Sequence, residues 1–506
     1  MKIERTKNAT RNIVTGTILK IYQTILPFII RTVMIYWLGV EYLGLNSLFS
    51  SILQVLNLAE LGVGSAMVYS MYKPIVEDDT KTICALMKLY RTYYRIIGLV
   101  VALAGGIITP FVPKLIKGGV PTDLNVYILY LMNLAATVLT YWLFAYKNSI
   151  LLAYQRNDKI NNVTILTTTV QYGGQLLVLY LFRNYYYFLL VLIISQILNN
   201  VLTAFVADQM FPEYKPVGDL PKTTVKEINQ RIRDLFTSKV GTVILGAADT
   251  IVISAFLGLK VLAVYQNYYY ILSAIYSFVG IILASIMAGM GNSFVTDSKE
   301  KTYKDFNTFN FIIEWIVSIC CCCMLIIYQP FMKIWVGEEL MLENSYVALF
   351  CALYYVLEMC MAWATVKDAA GLWHSDRFRP LIGALTNLGL NIILVQFIGL
   401  YGIILSTIIS DAIICMPWLI HNMFKLLYKR SAKLFVIKLI FNIFVMVMSC
   451  LLCFLISNKL TVDGITGLIL RILIGIGIPC VVETLVYYKT EDFKNSVRLV
   501  KRMIGR

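Results

Sequence analysis

The chain has 506 residues, 59% of them hydrophobic and 14% charged, with 44 Lys and Arg against 29 Asp and Glu and a net charge of +15. Repeated runs of twenty or more residues with at most one or two charges exclude an ordinary water-soluble globule and call for a polytopic membrane protein. The basic excess invites a nucleic-acid reading, but its placement along the chain gives a better explanation.

Against a hydrocarbon thickness of roughly 30 Å, about 20 helical residues, fourteen spans are predicted. They lie near residues 12–37, 46–72, 84–112, 124–146, 160–182, 187–209, 237–257, 262–290, 306–328, 344–366, 381–398, 402–420, 434–456 and 464–488. The fold class expected is an all-α integral membrane protein. With the N-terminus in the cytoplasm, inward-facing segments carry 31 of the 44 Lys and Arg. Outward-facing segments carry only Lys114, Lys117, Arg183, Lys260, Lys333 and Lys459. That asymmetry over short loops predicts both termini inside, and nucleic acid is not needed to explain the charge. Residues 1–11 read as a charged tail, not a signal peptide, because the apolar run that follows is too long and lacks a cleavage site. The 33 Tyr, 25 Phe and 7 Trp suit interfacial belts and a lined cavity.

Span 1 contains Lys20 near its start and Arg31 deep inside "PFIIRTVMIYWLG". A charge at membrane depth is costly and usually faces a bundle interior or water, which makes Arg31 a functional candidate. The competing reading is snorkelling toward Trp37, about 9 Å of helix rise away. Span 2 places Glu60 beside Gly62, Gly64, Ser65 and Ala66, where it could pair with a cation or help open the helix. The following turn holds Glu77, Asp78 and Asp79, better read as a solvated acidic turn than as a Mg²⁺ cluster. Lys88, Arg91 and Arg95 recur at i, i+3 and i+7 on one face of span 3. They could receive phosphates of an anionic or substrate lipid, or act as ordinary positive-inside anchors.

The segment 210–236, containing "FPEYKPVGDLP", is too short to bury a core and reads as a linker between halves. Span 7 carries Lys239 near its start and Asp249 in "LGAADTIVISAFLG"; Asn267, Tyr268 and Tyr269 follow in span 8. Lys20 and Lys239 are candidates for a substrate phosphate. Eleven cysteines lack paired or metal-ligand spacing, and the run Cys320–Cys323 reads as small packing residues. Glu314, Glu358 and Asp411 sit within spans 9, 10 and 12 as candidates for a coupling proton or Na⁺, or as satisfied interhelical groups. Lys438 and Arg471 lie near span ends and read as snorkelling side chains. No ATP-binding Walker motif is present, so transport driven by a gradient is favoured over catalysis, and no cofactor is expected.

Sliding the sequence on itself by 219 residues lays "LGVEYLGLNSLFSSIL" (38–53) over "LGLKVLAVYQNYYYIL" (257–272) and Lys20 over Lys239. Six spans separate the copies, and an even number preserves orientation. The expected plan is two parallel six-helix lobes around a central cavity, with two spans appended. The lobes are residues 1–209 and 237–420, joined by the cytoplasmic loop 210–236, and residues 421–506 supply spans 13 and 14 and a basic tail. Arg31 then corresponds to Thr250, next to Asp249.

The segment from Arg31 through "YWLGVEYLGLNSLFSSILQVLNLAELGVGSAMVYSMYKPIVEDD" resembles the polysaccharide-exporting branch of the multidrug/oligosaccharidyl-lipid/polysaccharide (MOP) exporter superfamily, the bacterial capsule and O-antigen repeat-unit flippases. The likeness continues through "SKVGTVILGAADTIVISAFLGL", "VYQNYY", "PFMKIWVG" and "KDAAGLWHSDRFRPLIGALTNLGLNIILVQFIGLYGIILSTIISD". It implies alternating-access movement of an undecaprenyl-diphosphate-linked oligosaccharide across a bacterial cytoplasmic membrane, for capsule or other surface polysaccharide. Arg31 and Lys20 match the first-helix basic residues that such relatives use for the diphosphate. Asp249 would orient Arg31, bind sugar hydroxyls or respond to a coupling ion, and Asn267, Tyr268 and Tyr269 would suit a sugar-lined wall or interfacial packing. The partners implied are the lipid-linked substrate, membrane lipids, and polymerase and assembly proteins, with a monomeric chain. The rival readings are a cation-coupled multidrug or small-molecule exporter of the same fold and, further off, a membrane glycosyltransferase dependent on Asp78 and Asp79.

Overall fold

The structure is a computed structural model that describes residues 5 to 503. The ends of the two basic tails, residues 1–4 and 504–506, lie outside the described residues. The chain divides into two compact units, Met1–Ala263 and Val264–Arg506.

The first unit contains α1 (Arg5–Trp37), α2 (Val40–Leu56), α3 (Val63–Val76), α4 (Thr80–Ile108), α5 (Val126–Trp142), α6 (Asn148–Ala153), α7 (Asn157–Phe182), α8 (Tyr185–Met210) and α9 (Lys222–Leu257). The next helix, α10 (Leu259–Thr296), starts in the first unit and continues in the second. The second unit goes on with α11 (Lys299–Val336), α12 (Asn344–Ala369), α13 (Trp373–Asp376), α14 (Arg379–Ile398), α15 (Leu400–Ser410), α16 (Met416–His421), α17 (Lys433–Ser457), α18 (Gly464–Tyr487) and α19 (Glu491–Met503). Each of the fourteen predicted spans falls on helix. Among the described residues, 12 segments are long and apolar enough to cross a membrane by themselves, or 13 with the pair Val126–Trp142 and Ala145–Ala153, bent by 48°. The eighth predicted span lies within α10, which is unbroken over 38 residues.

Two expectations need correction. The segment 210–236 is irregular only as far as Pro221, because α9 begins at Lys222. The apolar stretch measures the hydrocarbon, not the helix, and the polar turns of α9 are held by their own contacts. Ile228 is buried, Asn229 Oδ1 accepts from Tyr93 at 2.6 Å, and Arg231 donates to Ser70 at 3.3 Å while lying over Tyr69. The second predicted span is not continuous either. After α2 it tightens into a 3-10 turn at Asn57–Glu60, then turns through Gly62 at φ 87° before α3. A Cβ on Gly62 would lie 2.6 Å from Leu235 Cβ and 3.0 Å from the Ile232 carbonyl oxygen, so α9 packs directly on the break.

The 219-residue offset recurs in local geometry. Gly39 (φ 122°, ψ 160°) ends the first helix of one half, and Gly258 (φ 93°, ψ 173°) does so in the other. Only glycine reaches such angles without strain. Asp79 caps α4 and Ser298 caps α11, each through a hydrogen bond from the backbone N–H three residues on. The paired stops Gly118 and Gly337 have φ 83° and 80°. Gly44, aligned with Ala263, lies where a Cβ would come 2.3 Å from the Leu259 carbonyl oxygen, so the two copies of the repeat touch at their helix starts.

Several polar groups inside the spans are satisfied locally, as a hydrocarbon surround favours. Thr24 and Thr32 hydroxyls bond the carbonyls of Lys20 and Phe28, both at 2.9 Å. In the second unit α14 and α15 meet closely at Gly402, where Asn387 donates to Thr407 at 2.8 Å and Ser410 to the Gly383 carbonyl at 2.8 Å. The cysteine run packs α11 on its neighbours: Cys321 contacts the Cys351 carbonyl, and Cys322 Sγ lies 3.6 Å from Cys450 Sγ without a bond between them.

Candidate functional site

Arg31 lines a cavity of about 360 Å³ within the first unit, walled by α1, α2, α5, α7 and α8. Its lining includes five amides, Asn46, Asn133, Gln171, Gln175 and Gln196, but no carboxylate. Gln171 and Gln175 are one helical turn apart on α7, so both reach the same wall. Asn46 Oδ1 accepts from Tyr185 at 3.2 Å, and Asn133 Nδ2 donates to the Leu129 carbonyl at 2.9 Å. Gln175 is 1% exposed. Its Oε1 and that of Gln196 are buried acceptors without a hydrogen-bond partner. A guanidinium with unsatisfied amide acceptors suits a ligand that combines anionic oxygens with hydroxyl donors. Arg31 thus sits on the wall of a cavity inside the first unit, not of the expected central cavity flanked by Asp249. The amides were missed, although the helical spacing of Gln171 and Gln175 inside an apolar span was the available signal.

The other first-unit candidates are dispersed. Lys20 and Lys239 are exposed, on α1 and α9, and neither lines this cavity. Asp249 is half-buried on α9 beside buried Thr250, also outside the lining. Glu60 terminates the 3-10 turn in the broken span, where Tyr94 donates to it at 2.6 Å and Tyr141 at 3.0 Å. Tyr90 donates in turn to Tyr94 at 2.6 Å. Glu60 thus lies at the point where the helix opens and accepts from two phenols. On the α4 face, Lys88 is paired with Asp219 at 2.9 Å, while Arg91 is half-buried and Arg95 exposed. Asp79 spends both carboxylate oxygens on Thr82, at 3.0 Å to its amide and 2.6 Å to its hydroxyl. These bonds hold its carboxyl below the usual range.

In the second unit, Asn267 and Tyr268 are fully buried. The Tyr268 hydroxyl donates to Gln329 at 2.8 Å and accepts from the Leu342 amide at 3.0 Å, and its ring stacks on Phe350. This is the packing reading of that residue, with no face left for a sugar wall. Glu358 is wholly buried on α12 without a hydrogen-bond partner for either oxygen. Asp411 is buried at the start of a π-helical turn, Asp411–Cys415, between α15 and α16. Glu314 accepts from Asn310 at 3.0 Å and from Asn442. Near the span ends, Lys438 pairs with Asp492 at 2.9 Å and Arg471 donates to the Val462 carbonyl at 3.2 Å.

One network escaped sequence reasoning altogether. Asp376 receives Arg379 at 2.8 and 2.9 Å and also Lys367 at 3.0 Å, with Lys367 and Asp376 both buried. It ties the end of α12 to the start of α14. In the first unit Arg156 holds Asp158 in a similar fork at 2.9 and 3.0 Å.

No protein-family model matches the chain, and no curated protein matches it in sequence. Solved structures do match. The lipid II flippase MurJ in an inward closed conformation shares 16% identity at a TM-score of 0.68, covering 94% of this chain and 99% of that one. An inward-facing multidrug resistance MATE family transporter of the MOP superfamily shares 15% at 0.61, covering 78% and 93%. A MOP superfamily transporter from Pyrococcus furiosus shares 13% at 0.53, covering 84% and 97%. At these identities the likeness is one of fold: the chain is a multi-pass, all-helical membrane protein with the architecture found in MurJ and MATE transporters.

Proposed function

We propose that the protein is a transporter that moves a polyprenyl-diphosphate-linked oligosaccharide between membrane leaflets, serving bacterial cell-surface polysaccharide synthesis. The observation that carries this reading is Arg31 on the wall of a cavity lined by amides, two of which hold unpartnered acceptors. Arg31 supplies a planar fork for a diphosphate oxygen pair, and Gln175 and Gln196 accept from sugar hydroxyls. The lipid tail stays in the bilayer, so only the polar head has to be desolvated and received. Rocking of the two halves then exposes the bound head to the other side. The protein needs no catalytic group for this, and the broken span at Glu60 gives one helix a natural point of movement. Fold similarity to MurJ, described as a lipid II flippase, supports the same reading.

The test follows fluorescent lipid-linked oligosaccharides across proteoliposomes containing wild-type or Arg31→Ala protein. Transport well above protein-free vesicles, reduced at least tenfold by Arg31→Ala and partly restored by Arg31→Lys, is expected. Equal movement with and without protein overturns the reading. A second reading, an exporter of small molecules on the same fold, draws support from the similarity to MATE transporters. It predicts transport of lipophilic cations that is indifferent to Arg31→Ala.

A further inference from the structure

The last two spans pack on α11 around a second polar site, separate from the Arg31 cavity. Glu314 and Ser318 are one turn apart on α11, and Glu483 and Tyr487 one turn apart on α18. These four side chains, with Tyr355 of α12 and Asn442 of α17, line a cavity of about 20 Å³. That is room for one water-sized body. Glu314 is 8% exposed and Glu483 4%, so two carboxyl groups share one buried space at membrane depth.

The hydrogen bonds around Glu314 fix its direction. Trp363 Nε1 donates to Asn310 Oδ1 at 2.8 Å, and Asn310 Nδ2 donates to Glu314 Oε1 at 3.0 Å. On the other side Tyr487 donates to Asn442 Oδ1 at 2.6 Å, and Asn442 Nδ2 donates to Glu314 Oε2. Each Glu314 oxygen thus accepts one bond and keeps a lone pair for the cavity. Two further oxygens are left over. The Tyr355 hydroxyl is buried, lines the cavity and has no hydrogen-bond partner. The Ser318 hydroxyl, buried beside Glu483, completes no hydrogen bond of ordinary geometry. Buried polar groups without partners in native proteins call for an occupant.

A proton alone would leave the space empty and the Tyr355 hydroxyl unsatisfied, whereas an ion fills the space and coordinates that hydroxyl. Hard cations take oxygen ligands, and the oxygens here come from two carboxylates and two hydroxyls. Among the described residues no three His, Cys, Asp or Glu side chains converge, which argues against a divalent ion. A larger cavity of about 570 Å³ shares Phe311, Asn442 and Tyr487 with the small one. Its rim carries Glu300, Glu491 and Asp492, each in an ion pair, with Arg430, Lys304 and Lys438. It offers a polar approach from the α11 N-terminal end.

We infer that Glu314 and Glu483, with the hydroxyls of Ser318 and Tyr355, bind one small, largely dehydrated monovalent cation of sodium size where the last two spans pack on the rest of the second unit. The cation bridges α11 to α18, so its binding stabilises that junction by mass action.

The experiment uses full-length protein in nanodiscs without lipid-linked substrate, and reads the melting temperature against NaCl or choline chloride at constant ionic strength. Choline is too large for the cavity. A saturable rise with Na⁺ only is expected, abolished by Glu314→Gln and by Glu483→Gln. Tyr355→Phe and Ser318→Ala, which each remove one neutral oxygen with little change of volume, should raise the half-saturating Na⁺ concentration at least threefold. Should either Gln variant fail to fold, the Tyr355 and Ser318 variants carry the test. Identical responses to the two salts, unchanged half-saturation in both hydroxyl variants, or a response reproduced by acidification with no Na⁺ dependence overturns the site. Because no oligosaccharide is present, failure here is distinct from failure of the flippase reading.

Discussion

The second helix of each half begins alike and then diverges. In the first half α2 starts after Gly39, runs to Leu56 and breaks at Asn57–Gly62, where Glu60 takes two tyrosine hydroxyls and Gly62 turns the chain. In the second half α10 starts after Gly258 and runs unbroken to Thr296. The residue aligned with Glu60 is Val279, buried and apolar. Polar chemistry has also been distributed unequally. The first unit holds an arginine among amides, while the second buries carboxyls, Glu314, Glu358, Asp411 and Glu483. The lesson is that the repeat conserves where helices start and stop, the part of the design that backbone sterics dictate, while each half's interior is free to take on a different ligand.

That comparison can be broken at its tethers. Asp376→Asn removes the anion shared by Arg379 and buried Lys367, of which Lys367 keeps Asp368, whereas Asp158→Asn removes the anion from a single guanidinium fork in the first unit. Removing one partner of a buried pair costs about 3–5 kcal/mol. Asp376→Asn should therefore lower thermal stability in detergent, read by light scattering or tryptophan fluorescence, by clearly more than Asp158→Asn.

A smaller effect separates the two helix starts. Gly44→Ala forces a Cβ against the Leu259 carbonyl and should cost about 1–3 kcal/mol as an overpacked contact. The reciprocal Ala263→Gly removes only a methyl group and helix propensity, at about 1 kcal/mol. Equal losses in a melting assay would refute the inferred asymmetry of the contact.

Inside the cavity, Gln196→Leu removes an acceptor without changing the fold. Loss of one net hydrogen bond to substrate, about 1 kcal/mol, predicts roughly fivefold slower oligosaccharide transport in the proteoliposome assay. Gln329→Leu, at a polar group of the second unit that holds Tyr268, should act on melting temperature instead.

The smallest effect lies in the paired caps. Ser298→Ala should cost about 1 kcal/mol. Asp79 performs the same task with a titratable group whose folded pKa is depressed by Thr82. Its contribution is present above the unfolded value, near ~3.9, and is lost as pH falls through the lower folded value. Asp79→Ser should keep the cap and remove that part of the acid sensitivity, measured as melting temperature between pH 5 and 3.

The spans were readable because hydrocarbon thickness imposes a length on every apolar run, and the repeat was readable because Gly39 and Gly258 answer the same steric demand. Arg31 was readable because a lone charge at membrane depth has few acceptable surroundings. Gln171, Gln175 and Gln196 escaped notice because an uncharged amide barely disturbs a hydropathy profile, and its importance depends on which helices face it. Glu483 escaped because it lies near the end of its span, where a carboxyl can reach water; only packing against α11 reveals that it is buried. The Lys367, Asp376 and Arg379 network needed the turn between two helices to be folded before its charges could be matched.

By itself the sequence determined the solvent, the order of the apolar helices and the matched helix starts at Gly39 and Gly258, since each follows from local composition or from spacing along one chain. The tertiary structure decided what the charges on those helices meet. It turned Arg31 toward a wall of amides, opened one helix at Glu60 while leaving its counterpart whole, and brought Glu314 and Glu483 to one small cavity. Such meetings join residues as far apart as 314 and 483 in the chain, and only the packing of several helices at once can select them.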